Sequence, residues 1–376
     1  MNDLTRRIGL ALAAPLGAFV FAVLISALVL EVSGASAIDT FRTMWDNGRQ
    51  LETFVDTLNR ATPLFIAGIA AAIGFRMNLF NIGLEGQYVL AAFVAAVVGA
   101  ELALPGPLHV GVIIVVAMAV GAFWAAIPGV LKVYRGVNEV ISTIMLNFIA
   151  IGGVIAATFP RVIDRSEGAA TNAGTTLIPE SGWIPDLNSW MELFTREILK
   201  GRRLTGVFAI AIVVGVVFHV FVNRSRLGYD LRATGMNFLA ARAGGVPSGR
   251  MVLLAMILSG AVAGLVGMPE ILSDNHSYDQ GFVRGLGFGG LGIALLGRNG
   301  AVGIAFASLL FGFLDSSSAV LQVTGSASQS IVVIMQAVIL LTAVVAYEVV
   351  DRIRQRDEIR RASAMTQAAA PAGASA

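Results

Sequence analysis

Three polar clusters interrupt an otherwise apolar chain, and their residue types fit hydrogen bonding and ion contact. The first reads Asn78-Leu-Phe-Asn81-Ile-Gly83-Leu-Glu85-Gly86-Gln87. If the stretch is helical, Asn78, Asn81 and Glu85 share a face at i, i+3 and i+7. Gly83 and Gly86 weaken a helix there and admit close backbone approach. A polar hinge that satisfies freed backbone groups and a lining or gate for a solute path are both open readings. In the second cluster Glu139, Thr143 and Asn147 fall at i, i+4 and i+8, a polar stripe on an apolar helix. Asn138 and Glu139 also fit a helix N-terminal cap, where a carboxylate favours the helix dipole. Capping leaves Asn147 unexplained. The third cluster, Asp315, Ser318 and Gln322, again shares a face, for hydrogen bonds between helices or for solute contact. The candidate path residues are therefore Asn78, Asn81, Glu85, Gln87, Glu139, Thr143, Asn147, Asp315 and Gln322.

Other chemistries are poorly served. The chain has no cysteine, hence no disulfide, thiolate metal site or cysteine nucleophile. His109, His219 and His276 are isolated in sequence and read as packing or interfacial residues, so no metal site is expected. Lys132 and Lys200 stand outside any G-x-x-x-x-G-K-[ST] loop, so the chain carries no P-loop. Neither an HExxH nor a GxSxG motif occurs, and no paired carboxylates stand at a catalytic spacing. A net charge of +2 gives no reason to expect nucleic acid.

The elements that must position these clusters are membrane helices. The chain is 56% hydrophobic and 13% charged, against about 25% charged in soluble domains. Lipid is the solvent that accepts such a surface. A span needs about 20 mostly apolar residues, and roughly ten candidates occur. They are 8–30, 60–77, 86–104, 109–131, 138–159, 205–222, 251–272, 285–297, 301–321 and 329–350. The fold expected is all-α, a polytopic transmembrane helical bundle. The run from Ile8 to Leu30 exceeds the roughly 7–15 apolar residues of a signal peptide, so it reads as a retained first helix. Segment 285–297 is short and glycine-rich and reads as broken or re-entrant, which is tolerated where protein buries it.

Orientation follows the basic residues. Arg224, Arg226, Arg232, Arg242 and Arg250 in 223–250, and Arg352, Arg354, Arg356, Arg360 and Arg361 in the tail, place both termini inside. Lys200, Arg202 and Arg203 oppose this, on a long outer loop at 160–204. A transmembrane domain over 1–350 would precede a cytoplasmic tail at 351–376, disordered towards its Ala-rich end. A division into two inverted five-helix halves fits the span count without visible sequence identity between them.

Residues 223–250 are too polar to span. A short helix around 237–243, bounded by Gly235 and Gly244-Gly245, would lie at the inner surface, to bind anionic lipid or to dock a cytoplasmic partner. Here "FNIGLEGQ" (80–87), "NEVISTIMLNFIA" (138–150) and "LGYDLRATGMNFLAARAGGV" (227–246) resemble permease subunits of bacterial ABC importers. The group is the one that includes the branched-chain amino acid and ribose permeases, and the first motif is similar to its nucleoside-uptake branch. The likeness runs over about 60–350. It implies a cytoplasmic ATP-binding-cassette ATPase that binds ATP for the complex, with no cofactor in this chain. It also implies a second related permease, an extracytoplasmic solute-binding protein and residence in the bacterial inner membrane. By analogy the cytoplasmic helix couples to the ATPase through Arg232, Gly235, Asn237, Ala240, Ala241 and Gly244. Other ABC importers often carry a glutamate in this loop; none occurs in 227–246, so no salt bridge is carried over. A nucleoside, neutral and rich in hydrogen-bonding groups, suits an Asn- and Gln-rich path. Ribose or another simple sugar is the alternative solute. An ion-coupled secondary transporter using Glu85, Glu139 or Asp315 is the alternative mechanism.

Overall fold

Apolar chain in lipid has no water for its amides, so each N–H closes onto a carbonyl of its own helix. The computed structural model of the chain follows that rule. It describes residues 20–164, 173–188, 202–323 and 331–346, with 349, 352 and 356. The helices are α1 (Val20–Val32), α2 (Ala37–Gly48), α3 (Leu51–Phe75), α4 (Leu84–Glu101), α5 (Gly106–Arg135) and α6 (Glu139–Val162). They continue with α7 (Val207–Arg224), α8 (Arg226–Met236), α9 (Phe238–Ala243), α10 (Ser248–Ala263), α11 (Leu286–Leu296), α12 (Ala301–Val323) and α13 (Ile331–Ala346). Among the described residues, extended pairing is limited to the bridges Ile163–Thr175 and Gly174–Asp279.

Helices α3, α4, α5, α6, α7 and α12 are each long and apolar enough to cross a bilayer. Helices α1 and α2 pass the same test as one pair bent by 117°, and α10, α11 and α13 are shorter apolar helices. Each expected span coincides with a helix over its described residues, residues 8–19 of the first lying outside them, and the chain is a polytopic helical bundle. Helix α2 was not expected. Its Ile38, Phe41, Met44 and Trp45 recur at helical spacing among Asp39, Arg42 and Asp46, an amphipathic pattern that a search for apolar runs passes over. Segment 223–250 holds one helix more than expected, because α8 precedes α9. Span α6 is continuous but widens into a π-helical stretch over Ile149–Ile155, directly after Asn147.

The chain divides into two compact units, Trp45–Ser317 and Met1–Met44 with Ser318–Ala376. In the second, the Glu31 carboxylate accepts the Ala37 N–H at 2.9 Å and so closes the start of α2.

Within the first unit, missing side chains set the packing. A Cβ on Gly260 would fall 2.3 Å from both the Gly121 carbonyl oxygen and the Ala125 Cβ, and one on Gly264 would fall 2.2 Å from the Ala117 oxygen. Gly129 meets Met256 farther along. This order makes α5 and α10 antiparallel, backbone on backbone, by the small-residue spacing that membrane helices use in place of a hydrophobic drive. Against α3, Gly290 of α11 sits on Ala67, while Gly68 faces Ile293 and Ile304. Gly312 of α12 meets Thr57 and Ala61. Helix α11 therefore runs parallel to α3, and α12 runs antiparallel to it.

Candidate functional site

The stretch after α3 is a turn, which separates the residues of the first cluster. Helix α3 ends at Phe75, α4 begins at Leu84, and Asn78 sits in an exposed turn with φ 55°. Asparagine tolerates that left-handed conformation better than most residues. Asn78 therefore shares no helix face with Asn81 and Glu85. From Leu79, whose N–H bonds the Gly74 oxygen, the chain doubles back along α3.

Asn81 is buried, and every polar position on its amide is used. Its Nδ2 donates to Gln87 Oε1 (3.0 Å) and to Ser259 Oγ (2.9 Å). Its Oδ1 accepts from the Gly83 N–H (3.2 Å) and from Gln87 Nε2 (2.9 Å). Ser259 passes the chain on, donating to the Ala70 oxygen at 2.7 Å. Asn147 clamps the same turn from α6. Its Nδ2 donates to the Ile82 oxygen (2.9 Å) and its Oδ1 accepts from the Gly86 N–H (2.8 Å). The turn is thus tied to α3, α4, α6 and α10. Satisfied buried networks of this kind fix one geometry, because any half-broken version strands polar groups in a low dielectric.

Glu85 reaches outside this knot. Its Oε1 accepts the Gly285 N–H at 2.6 Å and its Oε2 accepts the Gly287 N–H at 3.0 Å. The Tyr88 hydroxyl lies 3.1 Å from Glu85 Oε1 and 2.9 Å from the Val283 oxygen, so its one proton bridges the same region. Helix α11 begins here, after Gly285 at φ 92°, a left-handed conformation that favours glycine. Glu85 therefore caps a helix two hundred residues away in sequence. A Cβ on Gly287 would lie 2.5 Å from the Glu85 nitrogen, so the two helix starts touch.

This junction lies deep in the bundle. Helix α5 has 30 residues, about 45 Å of rise, and Gly121 near its middle packs on Gly260, the neighbour of Ser259. Two helix N-termini, those of α4 and α11, thus meet at about half height, with one carboxylate against their combined positive ends. Helix α11, 11 residues long, rises only about 16 Å and is half a span, as its glycines led one to expect.

The second cluster splits. Asn138 caps α6, its Oδ1 accepting from the Val140 N–H at 2.9 Å and the Ile141 N–H at 3.4 Å. Glu139 pairs with Lys132 at 2.5 Å. The Thr143 hydroxyl bonds back to the Glu139 oxygen at 2.7 Å, while Asn147 joins the knot. Asp315 lies half-buried on α12, apart from these groups. The Gln322 side chain lies outside the described residues. His109 is buried, its ring nitrogens engaged by Ser181 Oγ (2.8 Å) and the Gly99 oxygen (2.9 Å), a packing role. No group of three or more His, Cys, Asp or Glu side chains among the described residues could hold a metal.

The coupling candidates lie at the end of the bundle that the charge pattern assigns to the cytoplasm. Gly235 rests on α3's terminal turn, where a Cβ would fall 2.4 Å from the Arg76 oxygen and 2.8 Å from the Met77 Cα. Leu231, Met77, Leu79, Met251 and Met256 form a buried apolar cluster around that contact. Arg76 in turn donates from Nε (3.1 Å) and Nη2 (2.9 Å) to the Asn299 oxygen, and the charge of Arg232 bears on it. Asn237 caps α9, accepting the Ala240 N–H at 3.0 Å. Ala241 is buried, whereas Ala240 and Gly244 are exposed. Met236 (89% exposed) and Leu239 (74%) form an apolar tip facing away from the bundle.

Sequence reasoning missed Ser259, Gly285, Gly287 and Arg76. Ser259 is a lone hydroxyl in an apolar helix beside Gly260, and Gly285-Leu-Gly287 opens a half-length run. Both signals were visible, though neither names its partner.

At the opposite end the loop folds back on the bundle. The Trp183 and His276 rings stack at 3.9 Å, and the Thr175 N–H donates to the Tyr278 oxygen.

Residues 53–344 match the family described as the permease component of branched-chain amino acid transport systems. Among curated proteins, the chain is similar to the guanosine ABC transporter permease protein NupP of Bacillus subtilis (strain 168). The two are 32% identical over 338 residues, 89% of this chain and 93% of the relative. It is 30% identical to the nucleoside ABC transporter permease protein NupB of Lactococcus lactis subsp. cremoris (strain MG1363), over 92% of this chain and 93% of the relative. The glucose ABC transporter permease protein TsgB13 of Haloferax volcanii is 32% identical over 76% of this chain and 74% of its own. No solved structure matches the chain.

Proposed function

Because this chain belongs to the family of permease components of branched-chain amino acid transport systems, and is an ABC transporter permease of the cell (inner) membrane, we propose that it imports nucleosides. A separate ATPase would drive it by alternating access, and a second permease and an extracytoplasmic binding protein would complete the complex. Both termini would be cytoplasmic. Guanosine and nucleoside permeases that align over nearly their whole length support the solute class. The glucose permease of equal identity favours a sugar as the second reading.

One observation carries the coupling role: Gly235 lies backbone to backbone on Arg76–Met77, while Met236 and Leu239 present an uncovered apolar tip beside it. A displacement of the tip by an ATPase reaches the 76–83 turn through rigid backbone contact. That turn holds Asn81, and the knot of Asn81, Gln87 and Asn147 adjoins the Glu85 cap of α11. In this reading these residues, with Glu139 and Thr143 on α6, form the pivot of the path. Asn78 stands at the moving turn, and Asp315 and Gln322 line α12. ATP binding would move the tip, the pivot would shift α11 against α4, and the cavity would open outward to receive solute. The chain breaks no covalent bond, and ATP is bound by the partner.

The chain lacks cysteine, so single cysteines can be placed cleanly. Met236→Cys or Leu239→Cys, carrying a benzophenone maleimide in the full complex, should photocrosslink to the ATPase. Capture of lipid alone by both probes in an assembled complex would refute the coupling role.

A further inference from the structure

Helix α11 has two unlike faces. Gly287, Gly290, Ile293 and Ala294 are buried against the bundle. Opposite them Arg284, Phe288 and Leu295 are exposed, with Phe288 at 53% and Val283 beside it at 44%. Arg284 adjoins Gly285, whose N–H is bonded to Glu85 at about half the height of the bundle. A guanidinium facing lipid at that depth is strongly disfavoured. The side chain extends towards Tyr278, whose hydroxyl feels its charge and which is only 2% exposed. A guanidinium has five N–H donors in a fixed fork, which suits it to contact a hydrogen-bonding ligand. An exposed arginine at mid-depth needs water or solute opposite it.

We propose that the exposed face of α11 is a wall of the solute path, with Arg284 donating hydrogen bonds to the solute and Phe288 offering its ring to a planar base. Glu85 already takes the Gly285 and Gly287 N–H groups and sets a negative charge beside Arg284. The wall therefore suits a neutral, hydroxyl-bearing solute with a flat ring better than an anion. This rests on the permease reading and deepens it, since a nucleoside has both features.

The test uses Val283→Cys and Phe288→Cys in the assembled complex in membranes, with the unsubstituted complex as reference. A water-soluble charged methanethiosulfonate reagent should label both positions. Labelling should change when the ATPase is trapped with ATP, and guanosine delivered by the binding protein should slow it. Arg284→Gln should lower the maximal guanosine uptake rate about tenfold in a complex that still co-purifies intact. Positions unreactive in every nucleotide state would place this face against lipid or the partner permease and overturn the proposal. An unchanged uptake rate in Arg284→Gln would remove the arginine from solute contact. Labelling that follows the nucleotide state and is slowed by glucose, but not by guanosine, would keep the wall and overturn the nucleoside reading instead.

Discussion

Glu85 Oε1 accepts the main-chain N–H of Gly285 at 2.6 Å, and this bond joins the start of one membrane helix to the start of another. The carboxylate is only 5% exposed, yet each oxygen has a donor. The arrangement explains how a charged residue persists there, since it compensates two helix dipoles and two orphan amides together.

Removing that carboxylate should therefore loosen α11. Glu85→Ala leaves the buried Gly287 N–H unpaired and takes the partner from the Gly285 N–H, at about 1–3 kcal/mol. Glu85→Gln keeps one acceptor and should cost less. Thermal unfolding of the detergent-solubilised complex, with exchange of the 285–289 amides, checks the order Ala worse than Gln. Equal stability of all three proteins would contradict the cap.

Gly235→Ala should uncouple the machine. Its Cβ would meet the Arg76 oxygen and the Met77 Cα, backbone atoms that cannot swing aside. The segment must lift, so ATP hydrolysed per solute imported should rise several-fold, an overpacking penalty of about 1–3 kcal/mol being taken at this contact. Gly111→Ala on α5, with nothing within 4 Å of the added Cβ, is the control and should leave the ratio near wild type.

The α5–α10 contact should be intolerant of any added carbon. Gly260→Ala brings a methyl against the Gly121 oxygen and Ala125 and should destabilise the protein by about 1–3 kcal/mol. Gly111→Ala, with open space around it, should be nearly neutral. Melting temperatures of the two variants read the difference.

The spans were legible because lipid leaves the backbone no alternative to helix, and the basic segments marked one end of the bundle. The Asn138 cap was legible for a local reason, since its partners are two and three residues away. Asn81 and Glu85 were recognisable as unusual but not in their roles. Their partners, Ser259 and Gly285, lie far along the chain, and no periodicity connects them. The expected shared face failed at Asn78 because Gly83 and the turn before it break the helix. Helix α2 escaped because its apolar residues alternate with charges.

Uptake of labelled guanosine into proteoliposomes tests ATP-driven nucleoside import. The vesicles would hold this permease with its partner permease and ATPase, and binding protein would be added. Uptake that requires ATP and survives collapse of the ion gradients is the result expected. Uptake that follows an ion gradient and ignores ATP would contradict the account.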